Sequence, residues 1–142
     1  MLSSPLRSRF GAIFHFDYYS FEDIGIIIQR SAELLGIKLD QEAIVALAGV
    51  SRFTPRAANR LLKRVRDFAE VNNLKSINID IIDEALKFLE IDSLGLESYE
   101  RRLLETVIKK FNNRPVGVSA LSAVLGLDKG TIEEIYEPYL VK

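Results

Sequence analysis

Apolar residues recur at intervals of three and four along most of the chain, and no segment keeps a strict alternation of apolar and polar residues. This spacing predicts amphipathic helices rather than half-buried strands. The first predicted helix covers residues 21–35, with Ser20 and Asp23 as a capping box and Gly36 as its stop. Its expected core face consists of Ile24, Ile27, Ile28, Ser31, Leu34 and Leu35.

Three more helices are predicted before residue 92. Asp40 is an N-cap for the second, and the third has Thr54 as N-cap and Pro55 in its first position, where the missing N–H costs nothing. The third ends at Asn72, and the fourth covers residues 79–89 after an Asn78 cap. The expected inward residues are Ile44, Leu47 and Ala48, then Ala58, Leu61, Leu62, Val65, Phe68 and Ala69, then Ile82, Ala85, Leu86 and Leu89.

The helical pattern is interrupted at residues 92–95, so we place a domain boundary between Ile91 and Glu97. A fifth helix is predicted over residues 99–111, and two short ones over residues 119–125 and 131–139. The glycine-containing turn between the last two is typical of a helix-turn-helix, a pattern that many small helical domains share. The expected inward residues of the fifth helix are Leu103, Leu104, Val107 and Ile108.

A loose alternation near the start of the chain predicts one strand within Ala12–Tyr18. Because a single strand has no partner in this chain, we expect it to belong to a sheet in a longer protein. His15, on this strand, is expected to be a packing or surface residue. The tyrosine pair Tyr18 and Tyr19 is expected to consist of ordinary core aromatics.

Composition excludes several classes of function. The 142 residues include 19 Lys and Arg against 20 Asp and Glu, a net charge of -1, which argues against binding DNA through bulk positive charge. There is no cysteine and one histidine, so disulfides, thiol nucleophiles and Cys- or His-rich metal sites are excluded, and catalysis by this chain alone is not expected. We see neither a bilayer-spanning run nor a secretory signal.

A run of basic residues stands out between residues 52 and 66, where no acidic residue occurs. A solvated polar face is the ordinary interpretation of such a run, but no acid at i,i+4 neutralises it before Asp67. Arg56 lies in the first turn of the third helix, where a cation is favourable if a phosphate lies between it and the helix end. Arg7 and Arg9 are either exposed loop residues or phosphate ligands. The run consists of Arg52, Arg56, Arg60, Lys63, Arg64 and Arg66.

No phosphate-binding loop of the form Gly-x-x-x-x-Gly-Lys-[Ser/Thr] occurs in the chain, so it does not hold a triphosphate by itself. Four segments nevertheless resemble the RuvB family of Holliday-junction branch-migration ATPases, in the family's order and across essentially the whole chain. The Thr-Pro-Arg helix with its Asn-Arg-Leu-Leu continuation is the most specific of them. The segments are Leu2–Gly11, Thr54–Ala69, Arg114–Gly117 and Thr131–Leu140.

The resemblance implies a mainly α fold with three parts. Residues 1–18 would be the remnant of an AAA+ nucleotide-binding domain, residues 19–92 a four-helix AAA+ lid, and residues 93–142 a winged-helix DNA-binding domain. The chain ends at Lys142, where the β-wing is expected to follow, so most of the wing and its DNA-contacting arginines would be missing. Isolated DNA binding is then expected to be weak and salt-sensitive.

The resemblance also implies the parent protein's activity. That protein would be a hexameric ATP hydrolase and DNA helicase that uses ATP and Mg²⁺ to drive branch migration in recombination and repair. Its partners would be the arms of a four-way DNA junction, bound without sequence preference, and a RuvA-type junction-binding protein in the bacterial cytoplasm. The segment alone would be inactive and would not bind nucleotide stably, and no membrane or metal ligand is implied.

Four residues take family roles under this resemblance. Arg9 matches the arginine finger that reaches the γ-phosphate held by a neighbouring subunit, and Arg56 matches the sensor-2 arginine that contacts the nucleotide of its own subunit. Tyr19 matches a nucleotide-contacting position, and Lys129 a DNA-contacting one. The chain departs from the family at Phe53, where a glycine usually precedes Thr-Pro-Arg.

Two other interpretations remain open. The chain could be the lid and winged helix of another AAA+ protein, such as a replication initiator or a clamp-loader relative, although the residues after Thr-Pro-Arg argue against it. It could also be a non-enzymatic helix-turn-helix regulator, which would leave Arg9, the unpaired strand and the basic face around Arg56 unexplained.

Overall fold

The computed structural model describes residue 14 and residues 17–141, which are mainly helical, as the sequence predicts. Within these residues there is no strand, only an isolated parallel bridge between Leu39 and Ile77. No helix in this part of the chain combines the length and the hydrophobicity needed to cross a bilayer. The elements are α1 (Phe21–Leu34), α2 (Gln41–Gly49), α3 (Pro55–Val71), α4 (Ile79–Phe88), α5 (Ser98–Phe111), α6 (Val118–Leu125), α7 (Lys129–Thr131), a π-helical turn (Ile132–Tyr136) and α8 (Glu137–Leu140).

Polar side chains cap the first four helices where the sequence predicts them to begin. Each side-chain oxygen accepts a hydrogen bond from a backbone N–H of the first turn, which would otherwise have no partner. At α1 the capping box is complete, because the Asp23 carboxylate also accepts from the Ser20 N–H. The caps are Ser20, Asp40, Thr54 and Asn78, bonded to the N–H groups of Asp23, Ala43, Ala57 and Ile81 at 3.0, 2.7, 3.4 and 3.1 Å.

Helices α1–α4 share one hydrophobic core, and most of its members are the predicted ones. Leu34 and Leu35 are exceptions: Leu34 is 77% exposed, Leu35 is also exposed, and Ala32 is buried instead. The buried positions of α1 are four residues apart, and at about 100° per residue Leu34 points away from Ala32. The buried set is Ile24, Ile28, Ala32, Ala43, Ile44, Leu47, Ala48, Val50, Ala58, Leu61, Leu62, Val65, Ala69, Ile77, Ile82, Ala85 and Leu86.

A second, smaller core joins α5, α6 and the last helical segment. Its buried members are Leu103, Leu121, Leu125 and Ile132, with Val107 among the residues packed around them. Ile108 was predicted to face this core but is exposed, whereas Thr106 is buried. The inward side of α5 follows Leu103 and Thr106, and Ile108 lies about 200° around the helix from Thr106.

Helix α6 and the last helical segment, which begins with α7, meet at a tight turn, as predicted for a helix-turn-helix. Gly126 ends α6 with a left-handed φ of 67°, and Asp128 caps α7, so the last helical segment begins two residues before the predicted Thr131. The N–H and hydroxyl groups of Thr131 and the N–H of Gly130 lower the pKa of the Asp128 carboxyl. The π-helical turn is followed by Pro138, which lacks the N–H that would continue the regular ladder.

The strand predicted within residues 12–18 lies mainly outside the described residues. The three residues of this segment that are described, Phe14, Asp17 and Tyr18, belong to no strand. His15 also lies outside the described residues.

Candidate functional site

A cavity of about 260 Å³ opens where the segment before α1, the start of α3 and the last helix come together. Among the described residues, its lining contains three arginines and no acidic residue. Such a lining suits an anionic ligand better than a cationic one. The lining residues are Tyr18, Arg52, Thr54, Arg56, Ala57, Arg60, Ile135, Pro138 and Tyr139.

Arg56 is the cationic residue of this cavity that has no countercharge among the described residues. It is exposed in the first turn of α3, and the structure gives it no hydrogen bond or ion pair with any described residue. The helix begins at Thr54 and Pro55, so its positive end points to the same region. An anion there would therefore meet a guanidinium, whose fork of donors matches a phosphate, and the end of a helix dipole.

Arg60 does have a partner, which the sequence interpretation missed. Its Nη2 lies 3.0 Å from the Oε1 of Glu97, and Arg64 reaches the same oxygen at 3.8 Å. No acid lies within residues 52–66, but Glu97 reaches Arg60 and Arg64 in space from the N-cap of α5. Both ion pairs are exposed to solvent, so each contributes only about 0–1 kcal/mol to stability. Arg66 pairs within its own helix, with Asp67 at 2.7 Å and Glu70 at 3.5 Å.

Arg52 is neutralised more completely. Its Nη1 and Nη2 bind the two carboxylate oxygens of Glu100 at 2.6 and 2.5 Å, and Nε and Nη2 donate to the Gly95 carbonyl at 3.0 and 2.8 Å. Its guanidinium carbon lies 5.0 Å from the centre of the Tyr139 ring, within the range of a cation–π contact. In the sequence Arg52 belongs to the basic run, and no local pattern relates it to Glu100, 48 residues away.

The two tyrosines before α1 are not core residues, contrary to the prediction. Tyr18 and Tyr19 are 45% and 49% exposed. Tyr18 lines the cavity, whereas Tyr19 is held beside the α3 start by a 3.2 Å hydrogen bond from its N–H to the Phe53 carbonyl. The structure thus brings Tyr19 close in space to the loop that precedes Arg56, and it adds Tyr18 to the site.

Phe53 adopts a left-handed conformation, with φ of 53°, directly after Arg52 at 57°. Glycine adopts this region without steric penalty. This gives a physical reason for the glycine that the resembled family usually has at this position. A phenylalanine here keeps the same backbone path at the cost of local strain.

Lys129, a further predicted site residue, lies apart from the cavity. Lys129 is exposed at the first position of α7, on the helix-turn-helix, and is not among the lining residues. Arg9 and Arg7 lie outside the described residues. Within the described part of the chain, no three Asp, Glu or His residues are grouped in a way that could hold a metal ion.

Comparison with known proteins identifies both helical parts. A family model described as the RuvB AAA lid domain matches residues 19–92, and one described as the RuvB C-terminal winged helix domain matches residues 93–142. The predicted fold class, an AAA+ lid followed by a winged helix, is thereby confirmed.

Curated relatives and solved structures agree with these matches. The chain is 50% identical over 141 residues to the Holliday junction branch migration complex subunit RuvB of Lactobacillus johnsonii, covering 99% of this chain and 42% of the relative. It is 47% identical over 142 residues to the subunit of the same name from Treponema denticola, covering 100% of this chain and 41% of the relative.

Among solved structures, the Thermotoga maritima RuvB Holliday junction branch migration motor superposes with a TM-score of 0.91 at 44% identity, covering 99% of this chain and 47% of that one. The chain therefore spans less than half of the length of these relatives. Both of its helical parts match models of a single family, and on that ground the chain belongs to the RuvB family.

Proposed function

We propose that this chain supplies the lid and the DNA-binding domain of an ATP-driven motor that moves Holliday junctions. Residues 19–92 are the lid and residues 93–142 the DNA-binding domain of this proposal. Two relatives named as subunits of the Holliday junction branch migration complex support it, together with a neighbour named as the branch migration motor. The working protein would be a homo-hexamer that acts with a RuvA-type junction-binding protein in the bacterial cytoplasm.

Arg56 supports this proposal most directly. Of the three cavity arginines, Arg52 and Arg60 have carboxylate partners, and Arg56 has none among the described residues. An uncompensated guanidinium at a helix start fits a phosphate group of a nucleotide. ATP with Mg²⁺, held mainly by the nucleotide-binding domain of the complete protein, would supply the phosphoryl-transfer chemistry.

In the proposed role, Arg56 binds the phosphates and makes the lid sensitive to them. Its helix contributes Leu62 and Val65, both fully buried, to the core of α1–α4. Because that core packs as one unit, a displacement of the α3 start moves the lid as a body. Tyr19, fixed to the Phe53 carbonyl beside this helix, would contact the nucleotide from the adjoining segment.

Arg9 and Lys129 complete the proposal. Arg9 would extend its guanidinium to a phosphate bound by the neighbouring subunit and offset charge that develops during transfer. Lys129 would contact a DNA phosphate from the helix-turn-helix. A phosphate contact carries no sequence information, in keeping with a motor that acts on any junction.

The proposal is tested by replacing Arg56 in the complete protein. We expect Arg56→Ala to lower the rate of ATP hydrolysis by about 10²-fold or more, and Arg56→Lys to restore only part of it, because lysine offers a single charge without the donor fork. Lys63→Ala is a matched control, since Lys63 is exposed on the same helix and lies outside the cavity lining. Hydrolysis by Arg56→Ala at the wild-type rate would contradict the proposal.

A further inference from the structure

The loop that precedes α3 contacts the first turn of α5 and the last helix, and none of the roles proposed above uses this contact. Arg52 in that loop lies four residues before Arg56. Its side chain leaves the lid and ends among Gly95, Glu100 and Tyr139, all of which lie in residues 93–142. The inference that follows rests on the proposed function.

The carboxylate of Glu100 needs the contact with Arg52 because it is buried. Glu100 is 1% exposed, and burying a carboxylate is costly unless a cation and hydrogen bonds compensate for it. Arg52 supplies both in a two-pronged geometry. The backbone N–H of Glu97 also donates to Glu100, at 2.8 Å, so the carboxylate is fixed within its own helix as well.

Tyr139 contacts the Arg52 guanidinium from the side of the last helix. Its ring lies over the Arg52 guanidinium, and its hydroxyl donates to the Leu94 carbonyl at 2.6 Å. One side chain of α8 thus contacts both the lid loop and the segment between the two cores. Burial of the hydroxyl raises the pKa of Tyr139, so it remains a hydrogen-bond donor at neutral pH.

The backbones approach closely at the same point. A Cβ added to Gly95, whose φ is 75°, would lie 2.5 Å from the Val50 carbonyl oxygen. The adjoining Arg52 and Phe53 are held at positive φ. Such conformations persist only where surrounding contacts fix them, so the loop between α2 and α3 has little freedom to move independently of residues 95–100.

We propose that Arg52 is a positioning residue that couples the lid to the DNA-binding domain: through Glu100 and Tyr139 it passes a displacement of the Arg56 helix start directly to α5 and the last helix. Two segments joined by a fixed ion pair, a ring contact and a close backbone approach move together. The exposed Arg60–Glu97 pair also joins the lid to the start of α5, but solvent screens it and its geometry is not enforced by burial.

The test separates coupling from simple stabilisation. In the complete protein, Glu100→Gln removes the buried carboxylate charge while keeping a polar side chain of similar size. We expect ATP hydrolysis to be largely retained and junction movement per ATP hydrolysed to fall about fivefold or more. The matched control is Glu97→Gln, which alters the exposed pair with Arg60, and its ratio of movement to hydrolysis should stay at the wild-type value. A stabilising role alone would lower the melting temperature of Glu100→Gln without changing this ratio.

A second measurement does not depend on activity. The 142-residue chain contains no cysteine, so Lys87→Cys in α4 and Lys110→Cys in α5, both exposed, give this chain one pair of spin labels. We expect one narrow distance distribution with Glu100 intact and a broad one in Glu100→Gln. A narrow distribution in the variant, or an unchanged ratio of movement to hydrolysis, overturns the inference. If the wild-type protein neither hydrolyses ATP nor moves DNA junctions, the proposed function fails instead. The spin-label distances alone then decide whether the contact between the lid and residues 93–142 is rigid.

Discussion

The guanidinium of Arg52 and the carboxylate of Glu100 form a two-pronged ion pair, at 2.6 and 2.5 Å, between residues that belong to different family-matched segments of the chain. Neither residue belongs to one of the two hydrophobic cores. The contact between the segments is therefore polar and directional rather than an extension of either core. A joint of this kind fixes orientation more strictly than apolar packing alone, because the pairing geometry of arginine and carboxylate is narrow.

The first prediction concerns the stability of this joint. Glu100→Ala should lower the free energy of unfolding by about 3 kcal/mol or more, because it leaves Arg52 without its countercharge in a largely buried site. Glu97→Ala, which breaks the exposed pair with Arg60, should cost only about 1 kcal/mol, including its role at the α5 start. Urea unfolding of the three proteins, followed by circular dichroism, measures both values. Equal losses would mean that burial of Glu100 does not matter energetically.

The second prediction concerns the strained residue before Thr54. Phe53→Gly should change the melting temperature little, because relief of the positive φ is offset by the greater freedom of glycine in the unfolded chain. Phe53→Val should destabilise the protein by about 1–2 kcal/mol, since a β-branched side chain tolerates positive φ poorly. Thermal unfolding compares the two variants directly. A valine variant as stable as the glycine variant would show that the backbone has moved to negative φ.

Local chemistry explains what could be predicted from the sequence. The starts of α1–α4 are determined by single capping residues such as Asp40 and Asn78, and the core face of α3 by apolar spacing. Both features can be recognised in short stretches of the sequence. Arg56 was selected for the same reason, since a cation in a first turn conflicts locally with the helix dipole. The position of α5 followed from its apolar periodicity alone.

The joint between the segments could not be predicted, because it depends on contacts between residues far apart in the chain. Glu100 resembles any charged residue in the first turn of a helix, and only the fold makes it buried. Tyr18 was assigned to a core because isolated tyrosines are commonly buried, but its segment runs along the mouth of a cavity. The spacing of apolar residues predicts that Leu34 faces the core, but the buried face of α1 ends at Ala32 and Leu34 lies on the other side of the helix.

The third prediction is a pH dependence at the helix-turn-helix. Hydrogen bonds from Thr131 and Gly130 lower the pKa of Asp128 below its ordinary value, so the ionised cap stabilises the fold above the pKa of the unfolded chain, near 4. That contribution is lost as the pH falls through the lowered pKa. In Asp128→Asn the cap carries no charge at any pH. The difference in melting temperature between the two proteins should therefore be constant from pH 7 to about 5 and shrink towards pH 2. A constant difference throughout would exclude the ionised cap.

The fourth prediction tests the proposed DNA contact of Lys129. In the complete protein, Lys129→Ala should weaken binding to junctions of unrelated sequence by the same factor, because the contact is to phosphate. The slope of log affinity against log salt should decrease by about 0.9, the value for one released counterion. Lys87→Ala, an exposed lysine of the lid, is the control and should leave the slope unchanged. An effect confined to one sequence would assign Lys129 to base recognition instead.

The fifth prediction tests whether the active centre is shared between subunits. In the complete protein, Arg9→Ala should lower ATP hydrolysis by about 10³-fold while nucleotide affinity stays close to wild type, because the proposed finger acts on charge that develops during transfer. A variant lacking the lysine of the phosphate-binding loop should also be inactive, since it cannot hold the nucleotide. Mixed hexamers differ from both, because an intact finger from one subunit then faces an intact nucleotide site on the next. Hydrolysis should return in such mixtures in proportion to these interfaces. If it stays absent at every mixing ratio, Arg9 acts within its own subunit, and the assignment in trans is wrong.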